Sequence, residues 1–141
     1  MSFYVWNYVF RIFMERYWSS RYRSVPVFYG SLKEDMLGEY QCTPLGINDI
    51  TLADNQGLSD KELLGVLLHE MCHHVVFETH GIDVEPHGDE WKIEMEKVGF
   101  IDPDEYTDGI NFFSDQELKE IFVAAQKLKN EEEARDKEES N

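Results

Sequence analysis

A chain of 141 residues with 42% apolar side chains has material for one hydrophobic core and too little for two, so a single domain is expected. Its formal charge of −16 repels a phosphate backbone and excludes avid nucleic-acid binding through overall charge. The two cysteines, Cys42 and Cys72, exclude a disulfide framework and a zinc ribbon, and they fit a reducing compartment.

The first predicted element is a helix. Phe3, Trp6, Phe10, Phe13, Met14 and Trp18 recur at helical spacing and mark one apolar face. The segment lacks a basic region ahead of its apolar part, and Arg11, Glu15 and Arg16 interrupt it, unlike a signal peptide or a membrane span. A soluble, cytoplasmic protein without membrane contact is therefore expected. Arg11, Arg16, Arg21, Arg23 and Lys33 face only Glu15 in this region, which leaves room for a local basic patch. The plainer reading is arginines solvating the outer face of a helix.

After Arg23 the texture changes to VPVFYG, GEYQC and NDITLAD, short β-prone runs punctuated by Gly, Pro and Asn that predict two or three strands of a small sheet. Ser59 and Glu62 form a capping box that opens a helix over Asp60 to Thr79, with Gly81 as its stop. The loop GIDVEPHG leads into DEWKIEMEKVGF, a short helix with Asp89 and Glu90 in its first turn and Gly99 after its last. Ser114 and Glu117 cap a C-terminal helix. These elements predict an α+β domain over residues 1–130, followed by an acidic tail, 131–141, expected to be disordered. The tail's glutamates could meet a basic partner, a solvated helix end being the simpler reading.

Chemistry is concentrated in LLHEMCHH, Leu67 to His74. On a helix, His69 and His73 lie about 40° apart on one face, so two imidazoles can converge on one ion at about 2.1 Å. Glu70 falls beside them, placed to hold a water rather than to complete the coordination, which is the H-E-x-x-H arrangement. Leu63, Leu64, Val66, Leu67, Leu68, Met71, Val75, Val76 and Phe77 surround the motif, so this helix is expected to be enclosed by protein. Ionisable groups in such a place are costly without a partner, and a metal supplies one. The rival arrangement is a pair of core histidines bonded to carbonyls, with Glu70 as counter-ion.

A catalytic zinc takes three protein ligands and keeps one position open. His74 points about 100° away from His73 and is expected at the edge of the site or in solvent. His80 lies seven residues past His73, whereas the metzincin pattern needs six and a glycine where Val76 stands. Glu94 on the next helix would be a carboxylate ligand. His87 fits best: Pro86 stiffens its approach, Gly88 lets the backbone draw close, and the following helix fixes the ring's direction.

LLHEMCHHVV followed by PHGDEWKIEMEKVGF resembles the SprT-like zinc metalloproteases, a group that includes the Spartan protease of DNA–protein crosslink clearance. The resemblance covers about residues 3 to 100 and implies a zincin-like fold: an N-terminal helix, a small sheet, a buried H-E-x-x-H helix and a short helix after it. It implies zinc on His69, His73 and His87, Glu70 as general base, a protein substrate, and a link to DNA-associated proteins. The cysteine-rich ribbon of many family members has no counterpart here, which bears on the DNA link and not on the zinc. Trp91 stands where the family often has Phe.

The expected activity is zinc-dependent peptide hydrolysis with Glu70 taking the proton of the attacking water. Tyr40, Tyr106 and His74 are candidates to stabilise the oxyanion, and Asp54, Glu94 and Asp89 to orient the histidines. The alternative is a zinc-stabilised adaptor that cleaves nothing, against which Glu70 speaks, since a structural site needs no base.

Overall fold

A computed structural model describes residues 5–100 and 113–140; Phe3 and Tyr106 of the expectations above lie outside the described residues. Helix α1 (Val5–Trp18) buries Val5, Trp6, Val9, Phe10, Phe13, Met14 and Trp18, the predicted stripe with two valines added. It ends where Ser19 and Ser20 take the left-handed conformation, at φ 51° and 56°, a cost offset by Ser20 Oγ donating to Glu15 Oε2 at 2.6 Å.

Three strands follow: β1 (Val27–Gly30), β2 (Gly38–Gln41) and β3 (Asp49–Ala53). Their order is β1-β3-β2, with β1 parallel and β2 antiparallel to β3. The central strand places Ile50 and Leu52 in the core at 0% exposure. At the β1 rim, the Asn7 side chain acts as a substitute strand: its Nδ2 donates to Val27 O at 3.1 Å and its Oδ1 accepts from Val27 N at 2.8 Å.

Helix α2 (Asp60–His80) has both halves of the predicted capping box, and it closes at Gly81, where φ is 83° and the N–H donates to Phe77 O at 2.8 Å. It is buried on nearly every side, packed against β2, β3 and helix α3 (Asp89–Lys97). Gly99, at φ 110°, ends α3 in a left-handed turn in which Phe100 N donates to Met95 O at 3.0 Å.

Helix α4 (Asp115–Ser140) starts at the predicted Ser114 cap, with Glu117 N donating to Ser114 Oγ at 3.1 Å and Ser114 N to Glu117 Oε1 at 3.0 Å. It lies along α1, where Trp6 meets Phe122 edge-on at 5.3 Å and Phe13 stacks on Phe113 at 5.7 Å. The acidic tail expected to be disordered is instead helical through Ser140. Good helix formers, a Lys129–Glu133 pair one turn apart at 2.7 Å, and an Arg11–Glu132 bridge at 3.2 Å offset the repulsion among its glutamates. Both cysteines are free, and no helix among the described residues is long and apolar enough to cross a membrane.

Candidate metal centre

Helical periodicity brings His69 and His73 to one face of α2, where their Nε2 atoms stand 3.2 Å apart. Two nitrogens bound tetrahedrally to one zinc ion at about 2.0–2.1 Å are about 3.3–3.4 Å apart, so the pair already has the spacing of two ligands. The chain leaves α2 at Gly81, reverses through Glu85–Gly88, and returns His87 to the same face. The ligand-capable nitrogens of His69, His73 and His87 all lie within 4.8 Å of one another. His87, the residue expected third, thus stands with His69 and His73 in a group that could hold a metal ion.

The turn that delivers His87 is tight at Gly88: a Cβ there would come within 3.0 Å of Glu85 Cβ and 3.3 Å of Glu85 O. One helical turn after His87, Trp91 is 1% exposed and forms the floor under all three imidazoles, its ring 4.6 Å from His87, 5.0 Å from His69 and 5.5 Å from His73. It stacks on His73 with only 17° between the planes.

Burial first, then the charges that His73 and His87 would carry, pushes the His69 pKa down to about 2, and burial with His87 pushes His73 down to about 4. Both rings are thus neutral at ordinary pH, the form that binds a metal. Three imidazoles at this spacing fit zinc and its neighbours among the borderline divalent ions.

Glu70 sits beside the cluster, 6% exposed, with Oε1 3.7 Å from His69 Nε2. Its place depends on Gly38 of β2: a Cβ there would stand 2.5 Å from Val66 Cγ1 and 3.3 Å from Glu70 Cγ and Oε1. Sequence reasoning passed over Gly38, although a glycine opening a strand is a signal of close backbone approach. The cluster and Glu70 line a cleft of 470 Å³ whose opposite wall is residues 35–40 and Cys42.

Among the described residues, that wall is the outer rim of the sheet. Ala53 N donates to Leu37 O at 3.0 Å, and with Gly38 opposite Leu52 and Tyr40 opposite Ile50 the alternation of an antiparallel ladder turns the N–H and C=O of Gly38 and Tyr40 away from β3.

The remaining candidates are placed elsewhere. Glu94 accepts from Trp18 Nε1 at 2.9 Å and from Lys97 Nζ at 3.2 Å. His80 is exposed at the end of α2. Asp54 is exposed and accepts from Ser31 Oγ at 3.0 Å, and Asp89 stands in the first turn of α3. His74, expected at the edge of the site or in solvent, is 0% exposed: its Nε2 meets Arg23 O at 2.8 Å and its Nδ1 meets Tyr40 Oη at 2.9 Å. The helical wheel gave its direction but not the segments packed there. Burial pulls its pKa below the usual histidine value. Tyr40 Oη also accepts from Asn48 Nδ2 at 2.7 Å, so both oxyanion candidates within the described residues are engaged in the wall itself.

The family model described as the SprT-like family matches residues 8–111. No curated protein matches the chain.

Proposed function

The chain belongs to the SprT-like family, and on that premise we propose that it is a zinc-dependent peptidase acting on extended polypeptide. The observation that carries this reading is one cleft holding three convergent imidazoles, a buried carboxylate beside them and a strand rim with unpaired-direction backbone opposite. A third imidazole from a loop makes a set of three ligands, the number a catalytic zinc site uses, and Glu70 supplies a base that a structural site does not need.

Zinc bound by His69, His73 and His87 would supply the Lewis acidity that makes a water a strong nucleophile near neutral pH. The Glu70 carboxylate would take a proton from the attacking water, whose oxygen bonds to the carbonyl carbon, and give it to the amide nitrogen as the C–N bond breaks. The outward N–H and C=O groups of Gly38 and Tyr40 hold the substrate backbone as an added strand, leaving its side chains to the cleft. Trp91 closes the floor beneath the imidazoles and excludes water from that side.

We take polypeptide, and not DNA, as the substrate. Of the N-terminal arginines, Arg11 is bridged to Glu132 and Arg23 to Glu78, which leaves less free basic charge for phosphate.

The test is Glu70→Gln in zinc-loaded protein with an unstructured substrate such as casein, with and without DNA. Cleavage is expected to fall by about 10²–10⁴-fold with zinc still bound. Undiminished cleavage by the variant would remove Glu70 as the base, and a zinc-loaded wild type without turnover would leave the adaptor reading.

A further inference from the structure

His74 follows a metal ligand in the chain yet takes no part in the cluster, and its hydrogen bonds have only one consistent polarity. Asn48 Oδ1 accepts from Thr43 N at 3.2 Å, so the Asn48 amide group turns Nδ2 toward Tyr40 and donates to its oxygen at 2.7 Å. The Arg23 carbonyl can only accept, so His74 Nε2 carries the ring proton at this 2.8 Å contact. Tyr40 O–H then donates to His74 Nδ1 at 2.9 Å. The run Asn48 to Tyr40 to His74 to Arg23 is satisfied at every link.

These four residues come from four segments: the approach to β3, the edge strand β2, the metal helix α2, and the chain after α1. Arg23 extends the join, its Nη1 donating to Gly46 O at 2.7 Å and its guanidinium pairing with Glu78 on α2. Tyr40 and Phe77, whose rings are 6.4 Å apart, both line the cleft. The run of bonds therefore crosses from the β2 wall of the cleft to helix α2, at the residue next to His73 in the chain.

We propose that the Asn48–Tyr40–His74–Arg23 run is a clasp that fixes the spacing between edge strand β2 and helix α2, so that Tyr40 and His74 are positioning residues for the substrate backbone. This rests on the peptidase reading for its functional consequence, though not for the clasp itself. The clasp acts on the strand and leaves the metal alone, which separates it from a residue that merely supports the imidazoles.

Tyr40→Phe keeps the ring and removes the hydroxyl. In zinc-loaded protein acting on casein, KM is expected to rise about five-fold, the effect of one buried hydrogen bond, with kcat within about two-fold of wild type and zinc retention unchanged. Amide hydrogen exchange is expected to quicken in β2 and not in α2. Asn48→Ala, which removes the donor to Tyr40 without touching the cleft, should move KM and β2 exchange in the same direction. A fall in kcat at constant KM, or loss of zinc, overturns the proposal, as does unchanged protection of β2. A wild type without turnover removes the peptidase reading by itself, and the exchange of β2 then decides the clasp alone.

Discussion

Gly38 and Glu70 meet across the join of β2 and α2 with no space for a methyl group between them: a Cβ on Gly38 would stand 3.3 Å from Glu70 Oε1 and 2.5 Å from Val66 Cγ1. Gly38→Ala must therefore push β2 outward or displace the Val66 side chain, and it crowds the carboxylate, at about 1–3 kcal/mol of overpacking. Turnover is expected to fall at least about ten-fold, since a small displacement of a reacting group is costly. Metal analysis should find zinc still bound, because no ligand is touched; a variant with full turnover would show that the wall yields.

Metal retention would separate the proposed third ligand from its rivals. His87→Ala should weaken zinc binding by at least about 100-fold in competition with a chelator, beyond what loss of an outer partner costs. His80→Ala and Glu94→Ala should stay close to wild type, because His80 faces solvent and Glu94 is held by Trp18 and Lys97. Equal losses in all three would reassign the third position.

The floor under the imidazoles has its own signature. Trp91 is 1% exposed, so Trp91→Ala should cost about 3–5 kcal/mol of stability, read as a lower midpoint in denaturant. Trp91→Phe keeps an aromatic surface and should lose less, with zinc affinity nearer wild type. If both variants bind zinc as wild type does, the floor supports the fold and not the ligands.

Acid should destabilise the metal-free chain. His69 and His73 have pKa values lowered from an ordinary 6.5 to about 2 and about 4, so between those values the unfolded chain binds more protons than the folded one. Stability from these groups is complete above pH 6.5 and declines as pH falls toward 4 and below. Thermal unfolding across that window should show the decline, and His73→Gln, which cannot titrate, should make it shallower.

Much of this site was legible because it depends on local periodicity. The helical repeat alone puts His69 and His73 on one face, and the Ser59 and Ser114 boxes mark helix starts that the structure confirms. His87 was legible because Pro86 and Gly88 advertise a tight turn just before a helix. Gly38 was not, because its need arises from a helix more than twenty residues away. The same holds for His74 and for Asn7: angles around a helix give a direction, while partners such as the Arg23 carbonyl and the Val27 backbone come from the tertiary arrangement. The helical form of the acidic tail was not legible, because composition weighs charge repulsion and does not show a bridge to Arg11 at the other end of the chain.

The two rims of the small sheet are unequal. Asn7 occupies the backbone of Val27 on one side, so a polypeptide approaching there must first evict a side chain that already satisfies both groups. On the other side Gly38 and Tyr40 offer theirs within the same hollow as Glu70 and His73. On the proposed reading, a visiting strand would be steered to the rim where hydrolysis would happen, and a single asparagine would discourage unproductive docking on the far side.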